Sequence, residues 1–201
     1  MPGPAGDPRH HALHLPPRRR DRRDPRALPH ARGAGMILGD ALTGLPQMLD
    51  EWTRDLGIGI VSVEYRLAPE HPDPAPVEDC YAGLVWTAEH AAELGFDPER
   101  IIIGGGSAGG GLAAGVALAA RDRGGPALLG QLLMCPMLDD RNDTPSAVQM
   151  GRGQDYLGTP RDTHHGLERP LLRRSGAAPG TSFPYAARSA PSTWRASRPR
   201  S

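Results

Sequence analysis

Lysine is absent from this chain of 201 residues, in which all 23 basic residues are arginine. Proteins that hold a phosphate with a P-loop lysine, or that form a Schiff base, need the lysine amine. The Ser-x-x-Lys centre of some acyl-transfer enzymes needs it as well. The missing residue type therefore excludes three classes of mechanism.

Net charge, cysteine and long apolar runs are also scarce. The 23 basic residues are balanced by 23 acidic ones, which argues against nucleic acid or an anionic membrane as a partner. Cys80 and Cys135 lack Cys-x-x-Cys spacing and are predicted to be buried apolar residues in a reducing compartment. No apolar run approaches the ~20 residues of a membrane span, and the first residues lack the apolar segment of a signal peptide. We therefore expect a cytoplasmic protein with no membrane or nucleic-acid partner.

The two ends of the chain have few apolar side chains. Residues 1–31 are rich in proline, arginine and histidine, and residues 149–201 show no sustained hydrophobic period. Such segments bury too little apolar surface to offset the entropy lost on ordering, so we predict irregular tails. We expect the arginine run at 18–23 to be solvated and the histidines at 10–14 to bind no metal. Arginine, proline, alanine and glycine are specified by GC-rich codons, so one hypothesis is that both tails are read out of frame. Translation of the other two frames would refute it if neither contained strand and helix patterns.

Residues 32–148 instead alternate between helical and strand-like patterns. The predicted helices span 45–57, 77–94 and 108–121, and the predicted strands span 58–65, 101–103 and 128–135. Apolar residues recur at helical spacing in the former and form nearly continuous runs in the latter. This alternation is typical of an α/β domain with a mainly parallel sheet covered by helices on both faces. We therefore predict one such domain over residues 32–148.

A glycine-rich turn at Ser107 carries the strongest chemical signal. The strand at 101–103 leads into Gly105-Gly106-Ser107-Ala108-Gly109 and then into a helix, which matches the G-x-S-x-G nucleophile elbow. The elbow needs small flanking residues because the turn is sharp and its backbone angles are strained. It raises the serine hydroxyl above the sheet edge and directs the N–H of the next residue at a developing oxyanion. It requires no metal and no organic cofactor.

The same residues leave two alternatives open. Gly104, Gly106 and Gly109 fit the G-x-G-x-x-G fingerprint of a dinucleotide-binding loop. That interpretation needs an acidic residue about 20 positions later, at the end of the next strand, but Asp139 and Asp140 come too late. A purely structural glycine-rich turn is the other alternative.

The chain from about Arg32 to Ser146 resembles the hormone-sensitive-lipase-like branch of the bacterial α/β-hydrolases, which are carboxylesterases. Four stretches carry the resemblance: RGAGMILG (32–39), VSVEYRLAPEHPDPAPVEDC (61–80), DPERIIIGGGSAGG (97–110) and MCPMLDD (134–140). The resemblance implies an α/β-hydrolase fold and hydrolysis of small-molecule esters. By position it makes Ser107 the nucleophile. It makes the backbone N–H groups of Gly33, Ala34, Gly35 and Ala108 the oxyanion hole.

The sequence departs from the family pattern in several places. Arg32 occupies the position of the histidine that begins the family's glycine box, and Gly106 stands where aspartate is common. The family places an acid and a histidine after later strands, whereas no strand is predicted beyond residue 136. Asp139, Asp140 and Asp143 follow the wrong strand, and His164 and His165 lie in the predicted tail. The stretch before the glycine box contains Pro29, so a defect is also expected in the middle of the sheet.

These departures predict a weak or inactive ester hydrolase. The alternative is a non-catalytic fragment or pseudoenzyme, and the third interpretation is a dinucleotide-binding module. An incomplete sheet with exposed apolar edges is also expected to self-associate.

Overall fold

The computed structural model describes the elements of one sheet and the helices that cover it. The described residues are 12–15, 26–31, 35–36, 38–48, 52–53, 56, 58–68, 70–71, 73–138 and 145–150. The strands are β1 (Ala12–Leu15), β2 (Arg26–Ala31), β3 (Ile58–Val63), β4 (Ile102–Gly106) and β5 (Gly130–Met134). The helices are α1 (Leu45–Met48), α2 (Ala75–Glu89), α3 (Ala91–Leu94), α4 (Ala108–Arg123) and α5 (Pro145–Met150). A 3₁₀ turn spans Pro98–Arg100.

The five strands form one sheet in the order β1-β3-β2-β4-β5. Strands β3, β2, β4 and β5 are parallel to their neighbours, and only β1 runs antiparallel, against β3. The predicted mainly parallel α/β sheet is therefore confirmed. Because the strands from β3 to β5 share one direction, the turns that follow them meet at the same edge of the sheet.

Within residues 1–31, which are predicted to be an irregular tail, the structure describes two strands, β1 and β2. Strand β2 fills the place where a defect was expected, between β3 and β4, and its residues Arg26 to Ala31 pair with Ile58 to Val63. Pro29 is tolerated inside this ladder, and the pairing with β4 involves only the two residues after it, His30 and Ala31. Strand pairing contributed by distant segments thus overrides a poor local propensity.

Apolar clusters cover both faces of the sheet. Consecutive residues of β3 point to opposite faces, so Val61 belongs to one cluster and Ile60 to the other. The larger cluster is closed by residues of α2 and α4, among them Val77, Leu84, Leu112 and Val116. The smaller cluster is closed by Leu45 of α1. Helices therefore cover both faces, as predicted.

Helices α2, α3 and α4 follow their predicted positions with shifted ends, whereas α1 covers only the first four residues of the helix predicted over 45–57, of which residues 49–51, 54–55 and 57 lie outside the described residues. The segment predicted as a helix over 77–94 is divided at His90 into α2 and α3, and Gly95 ends it in the left-handed conformation with φ of 78°. Glycine adopts this conformation without the steric cost of a Cβ atom. Gly124 ends α4 in the same way, with φ of 62°. Helix α5 extends to Met150, two residues into the predicted C-terminal tail, and residues 151–201 lie outside the described residues.

The strand at the end of the sheet is partly uncovered. Among the described strands β5 pairs with β4 alone, and Leu132 of β5 is exposed together with Leu129 just before it. Cys135 follows the end of β5 and is exposed, whereas Cys80 is buried in α2. The prediction of burial is therefore correct for Cys80 and wrong for Cys135, because Cys135 follows a partly exposed strand. Self-association through this edge stays a prediction.

A buried ion pair fastens the loop after β3 to helix α2. The Arg66 guanidinium donates from Nε to Asp79 Oδ2 at 2.9 Å and from Nη2 to Oδ1 at 2.8 Å. The backbone N–H of Arg66 also donates to Oδ2 at 2.9 Å. The Asp79 side chain has no exposed surface, and that of Arg66 is 21% exposed. A carboxylate buried this completely depends on these hydrogen bonds to offset its lost hydration.

Asp73, just before α2, makes the stability of the fold depend on pH. Burial, and secondarily the negative charge of Glu78, raises its pKa from 3.8 to about 6. The folded state therefore holds this proton more tightly than the unfolded chain, and ionisation of Asp73 opposes folding. The contribution of Asp73 to the free energy of unfolding should therefore fall as the pH rises from about 4 to about 6.

Asp73→Asn should remove that decrease, so that the variant gains stability relative to wild type as the pH rises. Urea unfolding at a series of pH values measures this, with exposed Glu93→Gln as the matched control. An equal pH slope in wild type and Asp73→Asn would contradict the account.

No helix among the described residues combines the length and hydropathy needed to span a membrane.

Candidate active site

Ser107 lies in the turn between β4, which ends at Gly106, and α4, which begins at Ala108. Its backbone angles are φ of 53° and ψ of −120°. A non-glycine residue in such a sparsely populated region costs roughly 1–3 kcal/mol and is typical of functional sites. The turn therefore has the strained backbone that a nucleophile elbow requires.

The Ser107 side chain is available for chemistry. Ser107 occupies the N-cap position of α4, yet its hydroxyl makes no capping hydrogen bond to the helix. A serine at this position usually accepts a hydrogen bond from a backbone N–H of the first turn. The residue is half-buried, so its hydroxyl combines partial shielding from water with freedom from the helix.

The first N–H groups of α4 point toward the same turn. Ala108 is the first residue of the helix and is fully buried. The N–H groups of the first helical turn have no partner within the helix, and the helix dipole adds partial positive charge there. The predicted role of Ala108 as an oxyanion donor therefore fits its place in the fold.

The glycine box follows β2, the strand next to β4. Ala31 ends β2 and pairs with Gly105, so the end of β2 lies beside the elbow. Gly35 has φ of 68° and Met36 has φ of 65°. The carbonyl of Met36 accepts a hydrogen bond from the N–H of Ala68 at 3.0 Å. Arg32, Gly33 and Ala34 lie outside the described residues.

Two side chains of the β3 region hold the segment that follows the glycine box. Ser62 donates its hydroxyl proton to the carbonyl of Ala41 at 2.6 Å, and Glu64 accepts the N–H of Ala41 at 2.6 Å. Ser62 is fully buried. Both peptide groups of Ala41 are thus fixed to β3, so this segment has a defined position. Sequence reasoning missed these contacts, although polar residues inside the VSVEY strand were a visible signal.

The glycine before the nucleophile has room for a larger residue. A Cβ atom added at Gly106 would meet only the Met134 methyl carbon, at 3.9 Å, which is an ordinary contact. The departure from aspartate at this position is therefore not imposed by lack of space for a Cβ atom.

The acidic residues and histidines that were considered as partners of Ser107, but not assigned, lie outside the described residues. These are Asp139, Asp140, Asp143, His164 and His165. The structure therefore describes the turn at Ser107 and Ala108, and none of these possible partners of Ser107.

The dinucleotide-binding interpretation requires an acidic residue at the end of the strand that follows the glycine-rich turn. Strand β5 is the strand that follows the glycine turn, and its residues Gly130 to Met134 include no acidic side chain. A dinucleotide loop uses such a carboxylate to bind the ribose hydroxyls. The positive φ at Ser107 also fits an elbow, which requires strain at one defined residue.

Comparison with known proteins agrees with this geometry. The profile of a family described by its alpha/beta hydrolase fold matches residues 28–193, and the chain belongs to that family, in its hormone-sensitive-lipase-like branch. The match includes much of the stretch predicted as an irregular C-terminal tail. Esterase LipI of Mycobacterium tuberculosis is 42% identical over 138 residues, which cover 67% of this chain and 41% of LipI.

One further relative and one solved structure are also similar to this chain. Human hormone-sensitive lipase is 41% identical over 91 residues, covering 45% of this chain and 8% of the lipase. The solved structure of a bacterial heroin esterase superposes with a TM-score of 0.75 at 37% identity, covering 92% of this chain and 58% of the esterase. The matches with LipI and with the mycobacterial ester hydrolase LipN each span less than half of the relative's length.

Proposed function

We propose that the chain is a carboxylic ester hydrolase in which Ser107 is the nucleophile. The observation that carries the proposal is the strained backbone of Ser107 between β4 and α4, combined with a hydroxyl that the helix does not use. Relatives named as esterases and lipases support the reaction class. Small-molecule esters are the proposed substrates.

The proposed reaction has two halves. In the first half, the Ser107 oxygen forms a bond with the ester carbonyl carbon while its proton passes to a general base. The carbonyl oxygen gains negative charge and accepts hydrogen bonds from the N–H groups of Ala108 and of Gly33, Ala34 and Gly35. The bond to the alcohol oxygen then breaks, and the alcohol leaves with a proton.

In the second half, water attacks the acyl-serine. Its oxygen bonds to the acyl carbon and one of its protons passes to the base. The carbon–oxygen bond to Ser107 breaks, and the serine oxygen regains a proton. The carboxylic acid is released and the resting serine is restored.

The activity is proposed to be weak. Serine catalysis without its base loses roughly 10⁶ in kcat, while ~10³–10⁴ over water survives from the oxyanion hole and binding. The sequence offers no histidine within a strand-and-helix pattern after β5, which supports this expectation. The cytoplasmic location, and the expected lack of nucleic-acid and membrane partners, stay predictions.

Hydrolysis of p-nitrophenyl acetate and butyrate by the purified protein tests the proposal. We expect release of p-nitrophenol above the rate in buffer, with dependence on Ser107. Folded protein without any such release would support the non-catalytic alternative. Saturable protection from proteolysis by NAD or NADP would instead support the dinucleotide-binding interpretation.

A further inference from the structure

The strained backbone of Ser107 is held by its own helix, where the N–H of Gly111 donates to the Ser107 carbonyl at 3.2 Å, and also by a segment outside its own strand and helix. The N–H of Ser107 donates to the carbonyl of Met134 at 2.9 Å, and the N–H of Met137 donates to the carbonyl of Ser107 at 3.0 Å. Both partners belong to one short segment at the end of β5. A rotation about either φ or ψ of Ser107 would move one of these two peptide groups, so the pair of hydrogen bonds restrains both angles, together with the hydrogen bond from Gly111.

The segment itself has an unusual backbone. Cys135 has φ of 39°, a conformation that non-glycine residues rarely adopt. Pro136 follows and fixes its own φ near −65°. These two residues turn the chain between Met134 and Met137, the two residues that bind the main chain of Ser107.

Two glycines of α4 allow this segment to approach the elbow. A Cβ atom at Gly110 would lie 2.9 Å from the Cβ of Pro136 and 3.0 Å from the carbonyl oxygen of Gly105. A Cβ atom at Gly111 would overlap the carbonyl oxygen of Met137. Any side chain at either position would therefore push the segment away from the first turn of the helix.

We propose that residues Met134–Met137, called the positioning segment below, position the Ser107 side chain for attack. Gly111 is the positioning residue whose missing side chain permits the contact. The inference deepens the proposed function and rests on it. The segment acts through the main chain of Ser107, by maintaining the strained φ that directs the side chain away from the helix.

A thiol in place of the hydroxyl reports the position of the side chain. In the variant Ser107→Cys, mass spectrometric peptide mapping distinguishes alkylation at position 107 from alkylation of exposed Cys135 and buried Cys80. A thiol held at a helix N-terminus has a pKa below its usual value of about 8.5. Alkylation by iodoacetamide as a function of pH measures that pKa and needs neither an ester nor a general base.

Adding Gly111→Ala to this background should move the thiol away from the helix N-terminus. We expect its pKa to rise by about one unit, so that alkylation at pH 7 becomes about threefold slower, because the loss of thiolate is partly offset by the greater nucleophilicity of a more basic thiolate. Gly130→Ala is the matched control, because a Cβ atom at Gly130 meets nothing within 4 Å. The control should alkylate at the rate of the background variant.

Unchanged thiol pKa and alkylation rate in folded Gly111→Ala protein would overturn the proposal and leave the segment a purely structural contact. If Gly111→Ala does not fold, Pro136→Ala replaces it, because it removes atoms and creates no overlap. A smaller rise in the thiol pKa is then expected, and no rise would overturn the proposal. Failure of ester hydrolysis would refute the proposed function without affecting this measurement, so the two failures are distinguishable.

Discussion

Ser107→Ala is expected to remove the part of ester hydrolysis that proceeds through an acyl-enzyme, leaving only the residual rate that the oxyanion hole and binding sustain. The substitution removes the oxygen that forms the acyl-enzyme, and loss of the nucleophile costs roughly 10⁶ in kcat where the whole catalytic group is present. Where the base is missing, the rate is only ~10³–10⁴ over water, and Ser107→Ala should leave that residual rate nearly unchanged because it comes from the oxyanion hole and binding. The measurable loss is therefore set by the wild-type rate, and KM should change little because the hydroxyl contributes little to substrate binding.

Initial rates with p-nitrophenyl acetate measure this loss, and Ser146→Ala provides the matched control. Ser146 lies on α5 and is exposed, so its replacement should leave the rate within error of wild type. Circular dichroism should show the same folded signal for all three proteins. Hydrolysis that continues at the wild-type rate in Ser107→Ala would show that the reaction does not proceed through an acyl-enzyme on Ser107.

Asp79→Ala is expected to lower the free energy of unfolding by about 3 kcal/mol. Removal of one partner from a buried ion pair costs about 3–5 kcal/mol, because the other charge is left without compensation. The low end of this energy range applies here because the Arg66 side chain is 21% exposed and water can reach it. A loss of this size is a large part of the total stability of a typical domain.

The neighbouring Glu78 provides the matched control for this prediction. Glu78 pairs with Arg123 at 2.8 Å, but their side chains are 27% and 32% exposed. Glu78→Ala should therefore cost about 1 kcal/mol or less, as is usual for ion pairs near the surface. Urea unfolding measures both variants. Equal midpoints for Asp79→Ala and wild type would contradict the structural importance of the buried pair.

The elbow was predictable from sequence because all its determinants are local. A short apolar strand, small residues on both sides of Ser107 and an alanine-rich helix occur within about twenty consecutive positions. Each of these local features favours the structure that is found there: β4 ends at Gly106 and α4 begins at Ala108. The parallel sheet was predictable for the same reason, since its strands β3 to β5 are nearly continuous apolar runs.

Strand β2 could not be predicted because its evidence is not local. Pro29 gives Arg26–Ala31 a poor strand propensity, and the segment becomes a strand by pairing with β3 along its whole length. The partner residues begin 32 positions further along the chain, at Ile58. No hydrophobic period within 26–31 contains that information.

The supports of the site were missed for a related reason. The hydrogen bonds of Ala41 to Ser62 and Glu64, and those of Ser107 to Met134 and Met137, join segments that are separated in sequence. The glycines at 110 and 111 looked like ordinary members of a small-residue helix. Their role becomes visible only when Pro136 and Met137 are placed against them.

Treatment of the purified protein with a fluorophosphonate, followed by mass spectrometric mapping of the adduct, tests the central claim most directly. The reagent phosphonylates a serine oxygen that has been activated and positioned, and fluoride leaves. The account predicts one adduct, on Ser107, and none in Ser107→Ala. Folded wild-type protein that carries no adduct on Ser107 would contradict the assignment of Ser107 as a nucleophile.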